Sequence, residues 1–148
     1  MNERTTIRKC NKDDYLWVVK LLQQLWPKRK FTKKEIKNTF NQALTSDNQH
    51  YFCTIKNKKI VWFGSFNIQN WLYAMWKVAI LDELIVDNKY RKIGIAKNLM
   101  DFMVNFAKKN KCVCLELECW SERKAAHTFY EKYWFSKWMW CFFSMDLI

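Results

Sequence analysis

The stretch Tyr90-Arg91-Lys92-Ile93-Gly94-Ile95-Ala96 places one of the chain's two glycines between an apolar run ending at Val86 and an amphipathic stripe beginning at Ile95. The first N–H groups of a helix have no partner within it, and they point, with the positive end of the helix dipole, at whatever lies before it. Gly94 and the small Ala96 would leave those N–H groups open to a diphosphate, with Arg91, Lys92 and Lys97 adding positive charge around it. A lone glycine is equally the residue that relieves a tight strand-to-helix turn. Spacing excludes two common phosphate loops, since the chain has no G-x-x-x-x-G-K followed by Ser or Thr and no G-x-G-x-x-G. What remains is Arg91-x-x-Gly94-x-Ala96.

Periodicity names the elements that must hold this loop. Ile95, Leu99, Phe102, Met103 and Phe106 form one helical stripe, with Lys97, Asp101, Asn105 and Lys108 opposite it. From Leu72 to Val86 the residues read as a strand, with Val78, Ile80, Leu84 and Val86 on one face and Ala79, Leu81 and Ile85 on the other. Apolar on both faces, it belongs in the middle of a sheet. Upstream, Thr5 to Cys10 predicts a short strand, and Asn11 to Asp14 offers caps for a helix whose apolar face is Val18, Leu21, Leu22 and Leu25 and which Pro27 stops. Thr32-Lys33-Lys34-Glu35 has capping-box spacing and opens a second helix reaching Leu44. Tyr51, Cys53 and Ile55 alternate, Lys56-Asn57-Lys58 turns the chain, and Ile60 to Ile68 returns as a hairpin. Downstream, Cys112 to Cys119 reads as a strand, Ser121 to Tyr133 as a helix and Lys137 to Leu147 as a final strand. This order predicts a mixed α/β sandwich with a mainly antiparallel sheet, in one domain over 1–148.

Composition removes other classes. Half the residues are apolar and 18% aromatic, enough for a core, and no run of uncharged apolar residues is long enough to span a membrane; the most apolar segment, Trp71 to Leu81, is broken by Lys77. Met1-Asn2-Glu3-Arg4 lacks an apolar signal region, which predicts a cytoplasmic protein. The six cysteines form no C-x-x-C pair and have no clustered histidines, so no metal site is expected. All six are expected to be reduced packing residues, with Cys112 and Cys114 sharing a strand face. A net charge of +12 suits a polyanion, but most of the 26 basic residues are lysines in a chain rich in Asn and poor in Gly and Pro, which AT-rich codons would produce. The densest run, Lys28-Arg29-Lys30 with Lys33, Lys34 and Lys37, reads as a solvated helix edge, and nucleic acid is disfavoured as a partner.

Leu81-Asp82-Glu83-Leu84-Ile85-Val86 followed by Tyr90 to Ala96 resembles the acyl-CoA-binding segment of the GNAT N-acetyltransferases, whose signature reads Gln or Arg, any two residues, Gly, any residue, then Gly or Ala. Arg123-Lys124-Ala125-Ala126-His127-Thr128-Phe129-Tyr130-Glu131-Lys132-Tyr133-Trp134-Phe135 is similar to the family's later helix, A-x-x-F-Y-E-K-x-G-F. Both pieces fall in family order, separated by a helix and a strand. The resemblance covers nearly the whole chain and implies the GNAT fold, of α+β type, with about six to seven strands flanked by about four helices.

It also implies a mechanism. Acetyl-CoA would lie where two central strands splay, with the main chain of Leu84, Ile85 and Val86, beside a bulge, holding pantetheine and polarising the acetyl carbonyl. Arg91, Lys92, Ile93, Gly94, Ile95, Ala96 and Lys97 would hold the pyrophosphate. Tyr130 matches the family tyrosine that protonates the departing thiolate. A primary amine has a pKa of about 10.4 and must lose a proton before it attacks. Asp82 and Glu83 lie just before the thioester site and would bind a cationic acceptor; adjacent strand residues face opposite ways, so one serves the cleft as base, and Glu83 is the choice. Glu116 and Glu118 share a face of the next strand and would line the acceptor side, or simply meet solvent. His127 has no evident partner, and Arg123 would contact CoA or an acidic acceptor group.

The implied reaction is transfer of acetyl from acetyl-CoA to a primary amine by direct attack in a ternary complex, the pattern being nearest to enzymes of small amines such as polyamines, aminoglycosides or aminophosphonates. The alternatives are a protein or peptide N-acetyltransferase, such as one acting on ribosomal protein N-termini, and a non-catalytic acetyl-CoA-binding regulatory domain. Oligomeric state stays open, a homodimer among the options. The chain departs from the family pattern where Trp62, Trp120 and Trp134 stand at usual glycine positions and where Lys92 replaces a usual glycine. Nine Trp beside two Gly predict that some of these triplets are UGA codons read as glycine.

Overall fold

The protein is described by a computed structural model over residues 5–133. The expected last strand at 137–147, Trp134 and Cys141 lie outside the described residues. The elements are β1 (Thr6–Lys9), α1 (Tyr15–Leu25), α2 (Lys33–Leu44), β2 (Gln49–Lys56), β3 (Lys59–Trp71), β4 (Trp76–Val86), α3 (Ile95–Lys109), β5 (Cys114–Leu117) and α4 (Lys124–Lys132). The chain divides into two compact units at Leu117. The first carries a five-stranded sheet in the order β1-β2-β3-β4-β5 with α1, α2 and α3, and the second carries α4.

The first helical turn follows from its caps. Asn11 accepts from Asp13 N, and the Asp14 carboxylate accepts from Asn11 N at 2.7 Å, satisfying donors that the turn leaves free. Asp14 also receives both fork nitrogens of Arg8, at 2.7 and 2.9 Å. Burial alone would raise this carboxyl, but the bonds from Arg8 and Asn11 N outweigh it and hold it below its ordinary range. Helix α1 ends at Leu25, ahead of Pro27, as expected. Helix α2 begins at Lys33 as the spacing predicts, although the Thr32 side chain makes no cap bond.

The β2–β3 hairpin turns through Asn57 and Lys58, both at positive φ, the two-residue turn whose twist matches paired strands. The reading of Leu72 to Val86 as one strand is corrected. Leu72–Met75 form the turn of a second hairpin, with Met75 at φ 54, and β4 begins at Trp76. Leu72, Tyr73 and Met75 are almost fully exposed, so their apolar character reflected no burial.

The face assignment along β4 is also corrected. Ser65 pairs with Glu83 but Phe66 pairs with Leu81, so Asp82 is an extra residue in the ladder, a β-bulge. The bulge reverses the alternation. Val78, Ile80, Glu83 and Ile85 align with Gln69, Asn67, Ser65 and Phe63 of β3, whereas Ala79, Leu81, Leu84 and Val86 align with Ile68, Phe66, Gly64 and Trp62.

Each face of the sheet is covered by a different set of helices. On one, Phe63, Ile85 and Cys53 pack with Val18 and Leu21 of α1 and Phe40 of α2. On the other, Ile68 and Ala79 pack with Ala107 of α3, and Phe52 meets Phe102 and Phe106 edge-on at 4.9 Å each. Such ring pairs each contribute about 0.5–1.5 kcal/mol beyond the area they bury. Helix α3 therefore lies against the sheet by the stripe that its sequence predicts.

Three pairings are antiparallel and β4–β5 is parallel. The described sheet thus has five strands, fewer than expected, and the described residues hold four α-helices. Strand β5 is shorter than the expected 112–119 because Cys112 N closes the end of α3 on Ala107 O, around Lys111 at φ 60. Cys112 and Cys114 therefore do not share a strand face, and Cys114 is exposed rather than packed. The five described cysteines are free thiols. Helix α4 starts at Lys124, later than Ser121, after a turn.

Candidate active site

The parallel pairing of β4 with β5 stops at Leu81 opposite Leu117. From Asp82 to Val86, β4 is paired to β3 alone among the described strands. Asp87 N donates to Val61 O at 2.9 Å, and antiparallel alternation then turns the main-chain groups of Ile85 toward β3 and those of Leu84 and Val86 toward the open edge. Of the three residues expected to hold pantetheine, Leu84 and Val86 thus offer main-chain groups on that edge.

Beside this edge, Asp82 is the exposed bulge residue and Glu83 is half-buried. Ser65, fully buried on β3, accepts from Glu83 N at 3.1 Å and donates through Oγ to Glu83 Oε2. Burial raises the Glu83 carboxyl above its ordinary pKa, and the Ser65 bond works against that shift. Tyr51 stands opposite Ser65 on β2, and its phenol is pushed up to about 12 by burial and by the charges of Glu83 and Asp82. A polar row, Tyr51–Ser65–Glu83, therefore crosses three strands on the face covered by α1 and α2.

The loop after β4 has the torsions that open a helix. Lys92 sits at φ 63 and Gly94 at φ 82, ψ −1, both left-handed. Helix α3 starts immediately after Gly94, and no side chain caps it. A Cβ added at Gly94 would meet nothing within 4 Å among the described residues. The glycine is therefore required by its torsion and leaves free space before the helix N-terminus, which is what an anion site there needs. Arg91 Nε donates to Val86 O at 3.0 Å, tying the loop to the open end of β4. Lys97 turns along the helix to Asp101, also at 3.0 Å. Ile95 is buried, whereas Ile93 is exposed.

Within the second unit, Tyr130 lies on α4, half-buried, with its ring edge-on to Phe129 at 5.5 Å. Burial, with a smaller contribution from Cys119, pushes its phenol up to about 12 against the opposing charge of Arg123, so the group holds its proton at neutral pH. His127 has a partner after all, since its Nε2 lies 3.0 Å from Trp120 O. Arg123 is the N-cap residue of α4. Glu116 is half-buried in β5, while Glu118 lies past the strand end, so the two do not form one strand face.

Sequence reasoning missed Ser65 and Tyr51, because their relation to Glu83 exists only through strand register. It also missed Gln24 of α1, whose amide holds Asp87 Oδ2 at 3.3 Å and Asn88 N at 3.0 Å and so fixes the chain leaving β4. That contact borders a cleft of about 390 Å³ lined by Trp17, Gln24, Ile60, Asp87 and Tyr90 among others, which contains neither Glu83 nor the 91–97 loop. Cys10, Asp14 and Cys53 bring three metal-ligand atoms within 4.8 Å of one another. Arg8 occupies both carboxylate oxygens there and opposes a cation.

Trp62 is fully buried on the α3 face, and its Nε1 has no hydrogen-bond partner among the described residues. A Cβ at Gly64 would come within 2.7 Å of the Trp62 ring and 3.0 Å of Met103. The second glycine of the chain thus makes room for a tryptophan that stands at a usual glycine position.

Comparison with known proteins assigns the class: residues 16–135 match the Acetyltransferase (GNAT) family, and the chain belongs to that family. It is 28% identical over 137 residues to glucosamine 6-phosphate N-acetyltransferase of Arabidopsis thaliana, covering 89% of this chain and 90% of that protein. Among solved structures, a transcriptional regulator from Bacillus halodurans superposes with a TM-score of 0.90 at 20% identity, over 97% of this chain and 100% of that one. An aminoglycoside N-acetyltransferase in complex with CoA superposes with a TM-score of 0.84 at 18% identity, over 98% and 96%. These two likenesses show the fold.

Proposed function

We propose that the chain transfers acetyl from acetyl-CoA to the primary amine of a small molecule by direct attack in a ternary complex. The observation that carries this reading is the open edge of β4 after the Asp82 bulge, with the half-buried Glu83 carboxyl beside it. Pantetheine would pair with the main chain of Leu84 and Val86, and an N–H on that edge would hold the carbonyl oxygen as it gains charge. The pyrophosphate would sit before the uncapped N-terminus of α3, against Gly94, with Arg91 and Lys92 supplying charge. Glu83 takes a proton from the ammonium, the neutral amine nitrogen bonds to the acetyl carbon, and as the C–S bond breaks the nitrogen gives up its second proton, which restores the Tyr130 phenol after that group has protonated the sulfur. Tyr130 gives its proton to the departing sulfur. Asp82 and Glu83 attract the cationic acceptor.

The substrates named for the relatives, glucosamine 6-phosphate and aminoglycosides, are both amino sugars, which favours an amine carried on a sugar over a peptide N-terminus. The test is CoA release with amino sugars, aminoglycosides, polyamines, aminophosphonates and N-terminal peptides. Turnover is expected with a small amine and is expected to slow in Tyr130→Phe more than acetyl-CoA binding weakens. Turnover with peptides alone would assign a peptide acetyltransferase. Acetyl-CoA binding without CoA release to any amine would assign a regulatory domain.

A further inference from the structure

The Ser65 hydroxyl stands between two groups of the same residue. A hydroxyl has one proton to give, and here its oxygen accepts from Glu83 N, so that proton is directed to Glu83 Oε2. The order is fixed as N–H to Oγ–H to Oε2. We propose that Ser65 is a positioning residue that holds Glu83 Oε2 as an acceptor and so leaves Oε1 as the oxygen that receives the amine proton. The proposal rests on the reading of Glu83 as the base.

The geometry allows little else. Ser65 is fully buried and pairs with Glu83 at the step where the bulge displaces the ladder, so the hydroxyl replaces a strand contact that the bulge disturbs. A carboxyl held against an apolar face is otherwise driven toward its neutral form, which cannot accept a proton. One bond from a buried hydroxyl favours the ionised form. The titratable and charged groups on this face are Tyr51 and Cys53 of β2, Arg8 of β1, Cys10 after it, and Asp14 and Tyr15 at the start of α1, with Asp82 in the bulge beside Glu83. Tyr51 stays protonated across the neutral range and so adds no charge there. Arg8 and Asp14 pair with each other through both carboxylate oxygens, and the bond from Ser65 is the contact that favours the ionised form of Glu83.

The test is carboxyl-carbon NMR titration of Glu83 in protein without acceptor, alongside the pH profile of kcat/KM. Ser65→Ala is expected to raise the Glu83 titration midpoint by about one unit and to move the acid limb of the profile the same way, a loss of about tenfold on that limb. Ser65→Thr, which keeps the hydroxyl, is expected to restore both. An unmoved midpoint in Ser65→Ala would overturn the proposal, as would a rate loss equal at every pH. Glu83→Gln separates the two readings. Full activity in Glu83→Gln overturns the base itself, whereas an inactive Glu83→Gln with an unmoved Ser65→Ala midpoint overturns the role of Ser65 alone.

Discussion

Replacing Gly94 by alanine separates the two demands on that position. Its φ of 82 costs an alanine about 1 kcal/mol, since the Cβ is forced toward its own carbonyl. No atom of the described residues within 4 Å opposes the methyl, so stability should fall by about that torsional amount. The same methyl fills the space before the N-terminus of α3, where a charge-assisted bond from a backbone N–H to phosphate contributes about 1.5–3 kcal/mol. Losing one such bond raises the KM for acetyl-CoA by roughly tenfold to a hundredfold, at about 1.4 kcal/mol per factor of ten. Urea unfolding reports the first quantity and steady-state CoA release at saturating amine the second. Gly94→Asn tolerates the left-handed torsion, so it should recover most of the stability while keeping the raised KM. A stability loss with an unchanged KM would reduce Gly94 to a turn residue and refute the pyrophosphate site.

Lys92 holds a positive φ without being glycine, so Lys92→Gly should raise stability by about 0.5–1 kcal/mol in urea unfolding, the torsional relief exceeding the entropy of a freer chain. Asp14→Asn should cost about 2 kcal/mol at pH 7, less than a fully buried pair because Arg8 is a third exposed. Because the folded pKa of Asp14 is depressed, its contribution is present above the unfolded carboxylate pKa of about 3.9 and is lost as pH falls through the folded value, so the difference between the two proteins should vanish in acid. The gene should carry UGA rather than UGG at some of positions 62, 120 and 134, where peptide mass spectra from the native host should read glycine; UGG at all three would refute this, and UGG or tryptophan at 62 would establish that indole as native.

Much of the fold was legible because its signals are local. The stripe of α3 gives a helix by counting, and the alternation of Tyr51, Cys53 and Ile55 gives β2. Pro27 stops α1 for a covalent reason that needs no partner. The Leu72–Met75 turn was hidden because it contains no Gly, Pro, Asn or Asp, and its apolar residues imitate a strand. The Asp82 bulge was hidden because a bulge is a relation between two strands. Once it is counted, Glu83 moves to the face of Phe63 and Ile85, where Ser65 meets it. Arg91, Gly94 and Glu83 were named from type and spacing, whereas Ser65 and Gln24 act through contacts that only register or helix packing creates.

The central claim is that Glu83 accepts the amine proton at the open edge of β4. The measurement is single-turnover CoA release by wild type and Glu83→Gln with the preferred amine across pH, with acetyl-CoA binding measured in parallel. The account predicts unchanged acetyl-CoA binding, a rate at least about a hundredfold lower in Glu83→Gln, and loss of the acid limb, which in wild type is expected above the ordinary glutamate range. A Glu83→Gln protein that turns over at the wild-type rate with the same pH profile would contradict it.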